Sequence, residues 1–436
     1  MLAQHFGLPT LRGARGFVAA MFIDFLGTGL FVPFSLLYFT RVAGLSLPVV
    51  GLVLSVAMAL TLPLVPVTGG LVDRFGTRRV VLLAQILQGM GLLGYLVVHN
   101  VPLLFVTALL DAIGQRLFWS TYFTLMAEIA APNERDRWYG LGAATRSAGL
   151  GLGSLLAGVV VGINALMGYH LVVIVDGLSF FLAAGLLLFG VQATTPQRND
   201  PPQGSGSQLI LRDRSFLVLV AANVLFALCS LMLGIGVPVY ITTALRAPLW
   251  VAGVIMAFST ALIAVFQTIA VRMLEPYRRT RALILAGGLW CAWGSLLALA
   301  LFVPRMVLIP FLFVVTCLYA LAAVIHDPTS NALAADASPD ALRARYLAVF
   351  QLSWSIAGLI APGLFALLFT LHPILPWLVI AALILLASLT ISWIEPHLPR
   401  RAVRIREHVP SDKETGAADR LGVEASGEQR SGWRDA

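Results

Sequence analysis

Charge is what this sequence lacks most. Only 11% of its 436 residues are Asp, Glu, Lys or Arg, against about 25% in an ordinary soluble domain. Hydrophobic residues make up 59% and the mean hydropathy is +0.89. Such a chain cannot clothe itself in water, which excludes a multi-domain soluble protein of this length. Lysine is almost missing: Lys413 is the single one among 29 basic residues, a compositional bias that points to no chemistry. Cysteine is scarce. Cys229, Cys291 and Cys317 sit inside apolar runs without metal-like spacing, so they read as small core residues and build neither a disulfide framework nor a metal centre. There is no Gly-rich loop ending in Lys-Ser or Lys-Thr, no His-Glu-x-x-His and no Cys/His cluster. An ATP motor and a zinc hydrolase are thereby excluded, and the chain is read as no enzyme, with no catalytic residue and no cofactor. The net charge of +8 lies in short stretches between apolar runs, which argues against nucleic acid as a partner.

What the sequence has is long apolar runs. A span needs about 20 mostly apolar residues, and twelve stretches qualify. The first six cover residues 17–39, 47–71, 80–98, 102–126, 139–163 and 169–191. The second six cover 216–245, 249–271, 282–303, 306–334, 346–370 and 374–394. The expected fold class is therefore an all-α integral membrane protein of two six-helix bundles, 17–191 and 216–394. A short segment 1–16 precedes them, a polar linker 192–215 joins them, and a polar, disordered tail 395–436 follows. Arg12 and Arg15 stand before an apolar run without a small-residue cleavage site, so that run reads as a retained span. Counting Arg and Lys in the connections places 24 on the side of both termini and the linker and three, Arg41, Arg246 and Arg305, on the other. The positive-inside rule then puts both termini in the cytoplasm of a multi-pass protein of the cell membrane.

The halves echo one another. Glu128 precedes Arg137-Trp138 by nine residues, as Asp336 precedes Arg345-Tyr346, and Leu26-Gly27-x-Gly29 is matched by Leu233-Gly234-x-Gly236. A six-plus-six duplication is a layout of secondary transporters.

Between spans 2 and 3 the chain reads Gly69-Gly70-Leu71-Val72-Asp73-Arg74-Phe75-Gly76-Thr77-Arg78-Arg79. Gly69 would permit close helix approach and Gly76 a tight turn where a side chain would clash. Asp73 with the three arginines forms a loop of alternating sign, able to exchange ion pairs with a neighbour. This stretch resembles the loop signature of the major facilitator superfamily at Gly69, Asp73, Arg74, Gly76, Arg78 and Arg79. The resemblance implies that Asp73 faces the positive N-terminal end of span 11 and helps close the cytoplasmic side, with Arg74, Arg78, Glu128 and Arg137 in the same network. The matching loop of the second half, from Leu274 to Arg281, keeps charges but lacks both glycines. Span 1, with Asp24, Gly27, Gly29 and Pro33, is similar to the first helix of twelve-span drug exporters. In span 5, Gly149, Gly151, Gly153 and Gly158 suit close packing of helices in lipid. Antiporters of the family carry a Gly-Pro pair there; this chain has Pro362-Gly363 in span 11 instead.

Ionisable residues inside a membrane usually mark pathways. The candidates are Asp24, Asp111, Arg116, Arg146, Asp176, His326 and Asp327. The resemblance implies that spans 1, 4, 7 and 10 line a cavity, which would take in Asp24, Asp111, Arg116, His326 and Asp327. Arg146 reads either as a cavity residue or as a partner of Asp176. Four acids face two arginines, and burial disfavours the charged form of a surplus acid. Such an acid suits a proton carrier.

The reading is a transporter working by alternating access. It would export small lipophilic compounds as an antiporter driven by the proton gradient, and would act as a monomer in the bilayer on a small-molecule substrate. A carrier of a polar metabolite, such as a sugar or an organic anion, is the alternative, and a membrane sensor or enzyme the distant one.

Overall fold

The computed structural model describes residues 15–130, 134–163, 165–190, 212–274, 277–339 and 342–403. Among them every element is helical. Span 1 is Arg15–Arg41, span 3 Thr77–Val97, span 4 Val101–Ile129, span 5 Arg135–Ile163 and span 6 Ala165–Gly190. Span 7 is Arg214–Ala244, span 8 Leu249–Leu274, span 9 Arg279–Phe302, span 10 Arg305–Ala337, span 11 Arg343–Leu371 and span 12 Leu375–Ile394. Among the described residues eleven helices are long and apolar enough to cross a membrane, and the chain is a multi-pass membrane protein. Span 2, expected as one helix, is instead two, Leu47–Leu60 and Leu64–Phe75. Pro63 cannot donate a backbone hydrogen bond and would clash with the preceding turn. The chain turns there, with Thr61 Oγ1 donating to the Met58 carbonyl at 2.7 Å.

Each bundle packs by the same scheme. Span 1 lies against spans 5 and 6, and span 3 against spans 4 and 6; span 7 lies against 11 and 12, and span 9 against 10 and 12. One hydrogen bond makes the repeat concrete. The Tyr38 hydroxyl donates to the Tyr95 carbonyl at 3.0 Å, and the Tyr240 hydroxyl to the Leu297 carbonyl at 2.8 Å, each across 57 residues. The structural offset at spans 1 and 7 is therefore 202, not the 207 suggested by the glycine echo. Gly27 and Gly234 accordingly do different work: Gly27 abuts Asp176 and Ser179 of span 6, while Gly234 looks toward Met256 and Val32.

The near side of the molecule carries Arg15, Asp73 and Val403; the far side carries Arg41, His99 and Arg305. Bundles join through the far-side halves of their helices. Gly158 and Gly253 let spans 5 and 8 touch backbone to backbone, since a Cβ on Gly253 would lie 2.7 Å from Gly158 Cα. Small residues of this kind let helices approach in lipid. Spans 2 and 11 meet where Gly51 lies on Pro362, and Ser55 Oγ accepts from the Gly363 backbone at 3.1 Å. That amide follows the proline whose ring interrupts the helical ladder. The Leu64–Phe75 half of span 2 packs instead on spans 3 and 4 of its own bundle. The two bundles thus form a cleft open toward the near side.

Near-side loops are tied within each bundle. Thr77 Oγ1 donates to Glu128 at 2.6 Å, and Arg78 donates to the Leu187 and Leu188 carbonyls, a cation at the negative end of span 6. In the second half Arg279 pairs with Asp336 at 2.5 Å and Arg278 with Glu395 at 2.8 Å. Arg279 also donates to the Ala402 carbonyl at 3.1 Å. Residues 395–403, expected as part of a disordered tail, are therefore folded onto the bundle, because two arginines of the degenerate loop hold them. Residues 1–14, the linker over 192–211 and the tail from 404 onward lie outside the described residues.

Candidate functional site

Two charged side chains confront each other across the cleft. Arg146 is exposed, 11 residues above the start of span 5, and its guanidinium lies over the Trp119 ring of span 4 at 5.1 Å. Asp327 stands ten residues from the end of span 10, with its side chain 40% exposed. At about 1.5 Å per residue both sit roughly 15 Å in from the near side. Each lies within electrostatic reach of the other, although they form no ion pair within 4.0 Å. Arg146 therefore does not pair with Asp176. Aromatic surface surrounds it: Phe123, 54% exposed, meets Tyr139, 37% exposed, at 6.1 Å, and Trp119 contacts Tyr122 at 5.8 Å. On the opposite wall exposed Gln351 of span 11 donates to Asn331 of span 10 at 3.3 Å.

Arg116 closes the far end of this cleft. Its Nη1 donates to Ser355 Oγ of span 11 at 2.8 Å and its Nε to Thr61 Oγ1 at 3.4 Å. One guanidinium so connects span 4, the break in span 2 and the other bundle.

The remaining candidates leave the cleft. His326 is fully buried inside the C-terminal bundle, packed at tilted angles between Phe226 at 4.9 Å and Trp290 at 5.0 Å, with Nδ1 3.1 Å from Asp327 Oδ1. Adjacent residues on a helix point about 100° apart, so His326 and Asp327 divide between core and cleft. Asp24, 3% exposed, faces span 3 and accepts from Gln85 Nε2 at 2.7 Å. Asp111 accepts from the Tyr95 hydroxyl at 3.2 Å. Asp176, 2% exposed, lies between these two acids within electrostatic reach of both. Asp24 and Asp111 were expected to line the cavity. Their helix faces turn inward because Gln85 and Tyr95 offer donors there, whereas the cleft side of span 4 is held by Arg116, Trp119 and Phe123.

The loop signature divides as well. Gly76 has φ 82° and ψ 149°, a backbone region other residues avoid, as the tight turn required. Gly69 has nothing within 4 Å of an added Cβ. Asp73, Arg74, Arg79 and Arg137 are exposed, and among the described residues Asp73 reaches no part of span 11.

Gln85, Thr61, Ser355 and Tyr95 were not singled out from the sequence. A polar residue in the apolar run of span 3 marks Gln85 in retrospect. Nothing local marks Ser355, whose partner is 239 residues away.

Comparisons with known proteins agree with this architecture. A curated relative, the multidrug resistance protein MdtH of Escherichia coli O157:H7, is 23% identical over 373 residues, covering 84% of this chain and 90% of its own. Among solved structures, a variant of the nucleoside transporter NupG superposes with a TM-score of 0.74 at 12% identity, covering 87% of this chain and 98% of that one. A bacterial homologue of the iron transporter ferroportin in an inward-facing state gives 0.69 at 17%, covering 88% and 99%. The family model described as Major Facilitator Superfamily matches residues 17–322 and again 226–433. With two like bundles around one cleft, the chain belongs to the major facilitator superfamily of membrane transporters.

Proposed function

We propose that this transporter exports small lipophilic compounds in exchange for protons. The cleft-facing carboxylate of Asp327, opposite Arg146 on its aromatic bed, carries the reading. An exposed acid set against an aromatic wall, in a cleft that also presents Arg146, Asn331 and Gln351, can receive either a proton or a cationic, ring-bearing substrate, and each displaces the other. Trp119, Phe123 and Tyr139 offer stacking surface that selects for apolar bulk rather than for one hydrogen-bonding pattern. The multidrug assignment of MdtH supports the same substrate class. The excess of Arg and Lys on the near side supports a cytoplasmic placement of both termini and of the open cleft. In the resulting cycle, substrate enters from the cytoplasm, the near side closes as Asp73 meets span 11, and the far side opens once the contact of Arg116 with Ser355 breaks.

Export of an organic anion is the second reading, favoured by Arg116 and Arg146 both flanking the cleft. The two separate in proteoliposomes under an imposed pH gradient, with lipophilic cations, neutral drugs, sugars and organic anions offered in turn. Proton flux evoked by lipophilic compounds and abolished in Asp327→Asn is the expected result. Flux evoked by anions alone and lost in Arg146→Gln would replace it with the second reading.

A further inference from the structure

The two walls of the cleft carry charge of opposite sign, and the cycle above uses only one of them. On the N-terminal wall the Arg146 guanidinium lies over the Trp119 ring at 5.1 Å. Stacking occupies the flat face of that group and leaves its N–H edge able to donate. Among the described residues no carboxylate pairs with it. On the C-terminal wall stands Asp327, its side chain 40% exposed, with Oδ1 in contact with His326 Nδ1 at 3.1 Å. One turn on, Asn331 donates to the Asp327 carbonyl at 2.8 Å and accepts from Gln351 Nε2 at 3.3 Å. Gln351 Oε1 is thereby left on the same wall to accept a further bond.

Arg146 and Asp327 act on one another electrostatically, yet they form no ion pair within 4.0 Å. They belong to different bundles, which the open near side holds apart. A monocation that answers Asp327 brings its charge toward Arg146, and an anion that answers Arg146 brings its charge toward Asp327. Each is repelled by the wall opposite, and more strongly in a cleft than in bulk water. A molecule with both signs at opposite ends is attracted by both walls. Resting on the reading of this cleft as the substrate site, we infer that it selects amphoteric aromatic compounds, with a carboxylate on the ring held by Arg146 and an amine at the other end held by Asp327. The aromatic surface of Trp119 and Phe123 lies on the wall of Arg146, so the ring and its acid belong there and the amine reaches across. An ammonium has several N–H groups to place, and Asp327 and Gln351 Oε1 can both accept. An α-amino acid does not suit, because its two charges flank one carbon while the walls keep theirs more than 4.0 Å apart. A proton arriving on Asp327 removes the charge that holds the amine, which keeps the exchange proposed above intact.

The test is binding and needs no proton gradient. Full-length protein in nanodiscs is titrated by calorimetry with para-aminomethylbenzoic acid, its methyl ester, its N-acetyl derivative and the compound blocked at both ends. All share one ring and differ only in which charged end is present. The free zwitterion should bind about tenfold more tightly than either singly blocked compound, since one charge-assisted contact is worth about that factor. In Asp327→Asn the zwitterion and the N-acetyl derivative should bind alike, because the amine has lost its partner. In Arg146→Gln the zwitterion and the methyl ester should bind alike. A variant that merely distorts the cleft would weaken every compound by the same factor, and that result would overturn the assignment. So would a methyl ester or an N-acetyl derivative that matches the zwitterion on the wild type, or a zwitterion that does not bind at all. The wild-type ranking decides the matter even where a variant fails to fold. A zwitterion that binds in this pattern but evokes no proton flux in proteoliposomes would overturn the exchange with protons and leave this site standing.

Discussion

Arg116 and Ser355 are hydrogen-bonded at 2.8 Å across the two bundles, 239 residues apart in sequence. The bond lies where the far-side contacts end and the open cleft begins, so it exists only while the far side is closed. Ser355→Ala should therefore destabilise the near-side-open form by about 1 kcal/mol, a roughly fivefold change in the ratio of conformers. Distances between spin labels on near-side loops of the two bundles would report it as a larger near-side-closed fraction. An unaltered distance distribution would show that the bond carries no conformational free energy.

Gly253 gives a second, steric handle on the same equilibrium. Its Cα face lies against Gly158, and even a methyl group would meet backbone at 2.7 Å. Backbone cannot yield as a flexible side chain would, so Gly253→Val should prevent spans 5 and 8 from closing the far side. Each bundle's own core is untouched by this change, so the protein should fold and purify normally. Transport should fall by an order of magnitude or more, as expected when about 1–3 kcal/mol of overpacking falls on one conformer. Near-normal transport rates with far-side labels at their closed distance would contradict the geometry.

These contacts show where the sequence was readable and where it was not. Apolar runs located the eleven described helices that are long enough to cross a membrane, and the broken second one beside them, because span length is set by bilayer thickness rather than by partners. The break in span 2 was visible as Pro63 but was absorbed into one run, since hydropathy does not register a missing N–H. Which way Asp24 and Asp111 face depended on Gln85 and Tyr95, residues on another helix at no fixed spacing. The glycine echo at Gly27 and Gly234 suggested an offset of 207, whereas Tyr38 and Tyr240 set it at 202. Short motifs recur by composition; a buried hydroxyl with one available carbonyl does not.

That tyrosine pair makes a test of the duplication. Both accepting carbonyls keep a second donor, from Val98 and Ala300 respectively, so neither is orphaned when the hydroxyl is lost. Tyr38→Phe and Tyr240→Phe should each cost about 0.5–1.5 kcal/mol, read as similar falls in melting temperature. The sites lie in different bundles and share no partner, so the double variant should lose the sum to within about 0.5 kcal/mol. A marked departure from additivity would mean that the two bundles are coupled through their far-side ends.

The loop signature should separate into a structural half and a kinetic half. Gly76, at φ 82° and ψ 149°, occupies backbone space that is nearly confined to glycine. Gly76→Ala should cost about 1–3 kcal/mol in every conformer, lowering the melting temperature and misplacing Thr77, whose hydroxyl anchors Glu128. Asp73 is exposed and reaches no partner among the described residues, so Asp73→Asn should leave the stability of the near-side-open form unchanged. Its contribution arises only when the near side closes and a carboxylate meets the N-terminal end of span 11, an interaction worth about 0.3–1 kcal/mol at an exposed helix end. Turnover should then slow two- to fivefold, by about the factor that this energy allows, with substrate binding from the near side preserved. A melting temperature that falls in Asp73→Asn as it does in Gly76→Ala would place the aspartate in the scaffold and remove it from the gate.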